Sequence, residues 1–453
     1  MTRGTCGARP GAYAPAVASR RVLIDAEDFA RRRGVAALLR GDSLDVEEVP
    51  RRPNAALAAG VVLALLAAAA TAGTAFVTGR EPSGWQRDGT LVLDRETGAR
   101  FLAEDGRLRP APTLTSVLLA GGRTDPVLVP HDAVAAAPLG AALGGAGLPE
   151  APPGLPERPT GFTACLTAPA AVDVHAGAPG GAPADATGLL VRTPGSTQLV
   201  LLAGARAHPV AGDALAPLGL FPAQVREVPA AWLALVPSGP ALRPLAVPPE
   251  PAGQGVRGVG QGGEVVASRG TGRAYLVSRG TVRPFLDRTS ELLAPRPVRA
   301  VPDAALEAAP EGPPVGVPGA PAEPPAVPDP STPVVPCTRS SDGQLSLLRS
   351  AQDRGTRPST PREAPTDPPV TVRWHLAPGQ GALVGPPDLD APPPAGTSAR
   401  GSGGIRLVAD GLAHEVADLD ALRALGYRRE QTVLLPGAWL ALAPTGAVVE
   451  TQG

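Results

Sequence analysis

The chain has 453 residues, 43% of them hydrophobic but 3% aromatic, with 57 Pro and 55 Gly. That content supplies several small cores packed from Leu, Val and Ala, while a net charge of −1 gives no electrostatic footprint for nucleic acid. All 41 basic residues are Arg; without a lysine to reach the β- and γ-phosphates, ordinary P-loop nucleotide hydrolysis is excluded.

Residues 1–53 form a basic tail with ten Arg. Within it, segment 22–42 places Leu23, Ala26, Phe29, Arg33, Ala37 and Arg40 at helical spacings, which predicts a helix partly apolar and partly covered by Arg. The run Arg31-Arg32-Arg33 suits a solvated or lipid-facing side. The 23 residues 55–77 carry no charge. As a helix they would extend about 34 Å, enough to cross the hydrocarbon core of a bilayer. A transmembrane helix is therefore expected over 54–79; a buried Ala-rich helix or a signal peptide are the alternatives. The small-residue pairs Ala56/Gly60 and Ala69/Gly73 would favour close helix contacts there. Ten Arg before the span predict a cytoplasmic N-terminus and an external remainder.

Beyond the span one pattern recurs four times: Pro-x3-[Val/Leu]-x3-Pro-x-Gly, at Pro130/Pro138/Gly140, Pro229/Pro237/Gly239, Pro302/Pro310/Gly312 and Pro436/Pro444/Gly446. Upstream of each copy lies a Gly turn and a basic residue followed by Pro or Glu: Arg109-Pro110, His208-Pro209, Arg283-Pro284 and His414-Glu415. Landmark and motif are 20, 20, 18 and 21 residues apart. This predicts four small α+β repeats at 85–148, 188–248, 255–312 and 403–450, each with about three strands and one short helix. The helices are expected near 114–119, 214–218 and 418–425, and Asp105-Gly106 marks a hairpin turn.

Segments 149–187 and 313–402 interrupt the repeats. The Pro-rich stretch 310–336 should be stiff and polyproline-like, while 344–348, 369–376 and 381–384 read as strands. Alternating with the repeats, the two segments are expected to meet as a central, mostly-β domain with four satellites about it, in an elongated or ring-like body. Cys6 lies in the tail, which leaves Cys165 and Cys337 as the external pair. A disulfide between them is the simplest reading for an exported domain; two unrelated buried thiols are the alternative. The expected class is thus α+β: one N-terminal transmembrane helix, then four small repeats around a central domain stapled by a disulfide.

Little in the chain points to catalysis. His131, His175, His208, His375 and His414 lack metal-ligand spacing, and no nucleophile motif is present, so no catalytic, cofactor or metal residue is expected. His208 and His414 stand where Arg109 and Arg283 stand in the other copies, which makes that basic position part of the repeat's architecture. Trp232 and Trp439 each follow a motif Pro by three residues, as repeat-internal packing or as an edge for a partner.

The tail residues Ala26, Phe29, Arg33, Ala36, Ala37, Leu38, Gly41 and Asp42, the apolar span, Trp85 with LVLDRETGARFLAEDGRLRP, the two external cysteines and the APGQGALV run at 377–384 together resemble the EccB family, single-span core components of actinobacterial type VII (ESX) secretion. The resemblance implies an inner-membrane protein with its repeats on the periplasmic or extracellular side. Its implied role is a scaffold that links cytoplasmic ATPase partners to the external face for protein export. The implied partners are other core subunits including an FtsK/SpoIIIE-type ATPase, sister copies, and a membrane-anchored mycosin protease. Some relatives are described as ATPases. The competing readings are a membrane-tethered exoplasmic ATPase or hydrolase and a cell-wall binding repeat protein.

Overall fold

The computed structural model describes residues 84–157, 161–247, 250–251, 253–351, 356–389 and 404–452, together with Glu27, Ala30 and Arg31, which are helical. The expected span at 54–79, and all but those three residues of segment 22–42, lie outside the described residues. Among the described residues no helix is long and apolar enough to cross a membrane.

The first repeat starts with an antiparallel meander, β1 (Leu91–Asp94), β2 (Arg100–Glu104) and β3 (Arg107–Pro110), followed by helix α1 (Leu114–Leu119), β4 (Pro126–Val129) and helix α2 (His131–Ala136). The central sheet then begins with β5 (Phe162–Ala168) and β6 (Ala171–Ala176). The second repeat comprises β7 (Gly188–Arg192), β8 (Leu199–Ala203), β9 (Arg206–Val210), β10 (Arg226–Glu227) and α3 (Ala230–Leu233). The third comprises β11 (Val265–Ser268), β12 (Ala274–Ser278), β13 (Thr281–Pro284), α4 (Arg288–Leu293), β14 (Arg299–Val301) and α5 (Asp303–Glu307). Strands β15 (Val335–Arg339), β16 (Leu345–Leu348), β17 (Arg357–Pro358), β18 (Arg362–Glu363) and β19 (Thr371–Leu376) return to the central sheet. The fourth repeat holds β20 (Ala382–Gly385), β21 (Arg406–Ala409), β22 (Leu412–Glu415), α6 (Leu419–Ala424), β23 (Val433–Leu434) and α7 (Gly437–Ala441).

All four repeats share one topology: β3-β2-β1-β4 in the first, with β4 parallel to β1, and its equivalents β9-β8-β7-β10, β13-β12-β11-β14 and β22-β21-β20-β23. Asp105-Gly106, Arg279-Gly280 and Asp410-Gly411 take positive φ at both positions, as a two-residue type I′ hairpin turn requires. Helices α1, α4 and α6 start at Thr113, Asp287 and Asp418, whose side chains accept from the backbone N–H three residues on.

Several expectations need correction. A repeat holds four strands rather than three, and in the first, third and fourth it holds two helices rather than one. The second helix is too short for a periodic pattern to reveal it. In the second repeat the helix expected at 214–218 is a 3-10 turn at Gly212–Ala214 followed by further turns. Ala211 offers no capping oxygen there, and Pro217 cannot donate to a helical ladder. Strand Ala382–Gly385 belongs to the fourth repeat rather than to the central domain, because it pairs with β21 and β23. The Pro-rich stretch also ties the second and third repeats by hydrogen bonds. The N–H groups of Thr187 and Gly188 donate to Ala326, those of Arg288 and Thr289 to Ala322, and the Arg226 guanidinium to Asp329 and Thr332.

Segments 162–176 and 335–376 do meet, in a seven-stranded sheet of order β16-β15-β5-β6-β19-β17 with β18 also on β19. Its apolar face carries Phe162, Ala164, Val172, Val174, Val372 and Trp374, and packs into one core with Trp232, Leu235 and Val236 of the second repeat and Trp439, Leu440 and Leu442 of the fourth. The first repeat joins the outer core of the fourth through Leu119 and Leu148, and Leu293 of the third joins the outer core of the second. The repeats therefore follow the serial order first, fourth, central sheet, second, third, which is the elongated rather than the ring-like arrangement. Positions 133 and 305, equivalent to Trp232 and Trp439, are Ala; the large ring stands in the two repeats that dock on the sheet.

Trp232 is fully buried, and its Nε1–H donates to the carbonyl of Ala164 on β5 at 3.2 Å. Trp232→Ala in the full-length protein should lower unfolding stability by about 3–5 kcal/mol, whereas the exposed Phe221→Ala should change it little. Urea unfolding followed by fluorescence and circular dichroism checks both.

Candidate functional site

The recurring motif works through backbone accounting. Pro130, Pro229, Pro302 and Pro436 are N-caps with φ between −62° and −55°. Their carbonyls accept from Val134, Leu233, Leu306 and Leu440, the apolar position of the motif. After the short helix the chain reaches the free edge of the third strand. There the N–H groups of Leu108, Ala207, Val282 and Ala413 donate to the carbonyls of Pro138, Pro237, Pro310 and Pro444, at 2.7–2.8 Å. The N–H groups of Gly140, Gly239, Gly312 and Gly446 donate back to the same four residues, at 2.8–3.0 Å. Each motif thus covers a sheet edge that would otherwise invite another strand.

The basic landmark completes the clasp. Arg109 Nε donates to the carbonyl of Ala141 at 3.1 Å, and Arg283 Nε to that of Pro313 at 2.9 Å. In the other two repeats His208 Nδ1 lies 3.1 Å from the carbonyl of Pro240, and His414 Nδ1 lies 2.9 Å from that of Ala447. Facing a carbonyl, each Nδ1 carries the proton. The motif Gly is required by this contact: a Cβ at Gly239 or Gly446 would stand 2.5 Å from Cε1 of the imidazole, and one at Gly140 or Gly312 within 3 Å of the Arg stem. Burial pushes the pKa of His208 and of His414 below the ordinary imidazole value. His131 is instead exposed, and the Asp94 carboxylate 2.7 Å from its Nδ1 holds its pKa above the ordinary value.

Cys165 and Cys337 form a disulfide across β5 and β15, where the two residues are directly opposed with Cα atoms 4.0 Å apart. It closes a sequence separation of 172 residues that contains the second and third repeats. Residues directly opposed in a sheet share a face. The row Cys337–Cys165–Asp173–Arg373 and the next one, Thr163–His175–His375, therefore lie together on the face opposite Trp374.

On that second face Asp173, His175 and His375 are all buried, and their ligand-type atoms lie within 4.8 Å of one another. His375 Nε2 is 3.4 Å from Asp173 Oδ2, Arg373 Nη1 is 3.8 Å from Asp173 Oδ1, and the two imidazoles stack with centroids 4.2 Å apart. Two imidazoles and a carboxylate are a donor set for a divalent transition metal. No metal-ligand spacing along the chain announces this cluster, which was not expected from the sequence. The two histidines are 200 positions apart, and parallel pairing of β6 with β19 puts them in register. The alternation Asp173-x-His175 on a strand was the one available signal. The motif prolines and glycines, by contrast, stay distributed over the four repeats and do not converge on one site.

Comparison with known proteins adds the lineage. The model of the family "Type VII secretion system ESX-1, transport TM domain B" matches residues 17–262 and 255–360. The ESX-2 secretion system ATPase EccB2 of Mycobacterium tuberculosis is 32% identical over 224 residues, 46% of this chain and 44% of that protein. The ESX-5 secretion system ATPase EccB5 of the same species is 29% identical over 255 residues, 51% and 49% of the two chains. The matched part thus spans about half the length of these curated relatives. Among solved structures, a chain of an intact ESX-5 inner membrane complex superposes with a TM-score of 0.63 at 22% identity, covering 97% of this chain and 95% of that one. The EccB3 dimer from the ESX-3 core complex gives 0.62 at 22% identity, over 80% and 98%. These likenesses establish a shared fold.

The clasp and the disulfide each generate a test. Burial makes His208 and His414 harder to protonate in the folded chain than in the unfolded one, which takes up protons below about pH 6.5. Their contribution is thus present above that pH and lost as pH falls through it. The double variant His208→Gln/His414→Gln, which keeps an N–H donor, should lose less stability than wild type between pH 7.5 and 5.5 when urea midpoints are compared. For the disulfide, Cys165→Ser/Cys337→Ser should unfold about 4–5 kcal/mol more easily than the oxidised protein in the chain-entropy model. Peptide mapping without reductant should recover the pair linked.

Proposed function

Because this chain belongs to the EccB family of type VII secretion, we propose that it is a structural subunit of an ESX-type secretion membrane complex and acts by assembly. The observation that carries the reading is the family match along residues 17–360. The fold it shares with a chain of the ESX-5 inner membrane complex supports it over nearly the whole length of both. The uncharged stretch 55–77 supplies a single membrane anchor, with the Arg-rich tail on the cytoplasmic side and the disulfide-bonded body outside, where oxidation is permitted. In this reading the tail engages a cytoplasmic FtsK/SpoIIIE-type ATPase and other core subunits. The external repeats contact sister copies and a membrane-anchored mycosin protease.

The geometry favours a scaffold. The polar groups that recur in the repeats are committed to backbone carbonyls inside each unit, four times over. The word ATPase in the names of the two mycobacterial relatives favours a second reading, nucleotide hydrolysis by a site without lysine.

One set of experiments separates them. Full-length protein extracted from its native membrane should co-purify with an ATPase-bearing complex, and deletion of 22–42 should release that ATPase while the external disulfide stays formed. Protease added to intact spheroplasts should cleave the repeats and spare the tail. The purified chain alone should hydrolyse ATP at background rate. ATP turnover by the chain alone, abolished by a single substitution, would replace the scaffold reading with the enzymatic one.

A further inference from the structure

The polar face of the central sheet carries chemistry that assembly does not require. Asp173 and His175 sit two apart on β6, and His375 sits on β19 directly opposite His175. A slip of one residue in this register would put His375 and the Asp173–His175 pair on opposite faces. The register is held from both sides of the sheet. Trp374 is buried in the core beneath, and the disulfide joins β5, the neighbour of β6, to β15 in the row of Asp173.

The spacing within the cluster is compatible with a shared ion. Charge-assisted hydrogen bonds between an imidazole and a carboxylate run at about 2.7–2.9 Å. The separation here, His375 Nε2 to Asp173 Oδ2, is 3.4 Å. Two donors held by one tetrahedral ion with bonds of about 2.0–2.2 Å stand roughly 3.3–3.5 Å apart. The carboxylate is also oriented as a ligand would be, with Oδ1 toward Arg373 at 3.8 Å and Oδ2 toward His375. An outer cation of that kind orients a ligating carboxylate without occupying its inner oxygen.

We propose that Asp173, His175 and His375 bind one divalent transition-metal ion, with zinc the ion that this donor set fits best. Each residue gives one ligand atom, and all three lie within 4.8 Å of one another. Binding would turn the two imidazoles out of their stack, in which the centroids are 4.2 Å apart, toward the ion. Three protein ligands leave a fourth position for water or for a donor from a bound partner. The site ties β6 to β19, a pairing the disulfide does not reach, so that the metal and the disulfide clamp successive strands of one sheet.

The test uses the full-length protein in detergent, stripped with a chelator and titrated with zinc chloride. After gel filtration, metal analysis should find close to one zinc per chain. His175→Gln and His375→Gln should each weaken zinc binding at least tenfold, and Asp173→Asn should weaken it too. His131→Gln, at the exposed histidine, should leave it unchanged. X-ray absorption of the zinc-loaded wild type should show two imidazoles and a carboxylate-type oxygen, a measurement that stands even if a variant fails to fold. Wild type that retains no stoichiometric zinc, zinc that binds the variants as tightly as wild type, or a spectrum without imidazole scattering would overturn the proposal.

Discussion

Burial of one face of the central sheet under two tryptophans is the interaction on which the rest of this body depends. The sheet is assembled from segments far apart in the chain, and its apolar face is closed by Trp232 and Trp439 from the second and fourth repeats. A ring of that size removes much apolar surface from water at a small cost in rotamer entropy. Each ring stands three residues after a motif proline and so enters the core at the same point of its repeat. The first and third repeats, with alanine at that point, attach to the far sides of the fourth and second. One substitution in an otherwise repeated unit thus separates inner from outer positions, and the four copies form a series.

Within each repeat the constraint is the unsatisfied backbone. A four-stranded sheet leaves two edges, and the motif closes one of them by exchanging two hydrogen bonds with the third strand. A basic side chain then fastens the segment through a carbonyl, and glycine must stand beneath it because a Cβ would occupy the space of the ring or the Arg stem. Arginine and histidine are interchangeable here, since either can aim one N–H at that carbonyl. The replacement is not neutral toward pH, because a buried imidazole loses its proton where a guanidinium keeps it.

The opposite face of the central sheet is organised differently. A disulfide, a carboxylate and an arginine share one row, and two histidines share the next. Polar groups of this kind are costly to bury unless bonds or charge compensate them. Their concentration on one face sets it apart from the apolar packing that joins the repeats.

What the sequence by itself determined was confined to features of short period, and not all of those, since the helix expected at 214–218 is a 3-10 turn. The fourfold motif, the capped helices at 114–119 and 418–425, the Asp105-Gly106 turn and the structural role of the basic landmark all follow from residues within about twenty positions of one another. The cysteine pair was legible for a different reason: two thiols beyond the expected span leave a single pairing. Tertiary structure alone decided the rest. Trp232 and Trp439 look equally like internal packing and like a partner's edge until the sheet that receives them exists. Strand Ala382–Gly385 joins the fourth repeat because its hydrogen-bonding partners lie beyond residue 403, which adjacency along the chain conceals. His175 and His375 become neighbours through parallel strand pairing, and parallel register depends on which strands share a core, a long-range condition that no local spacing records.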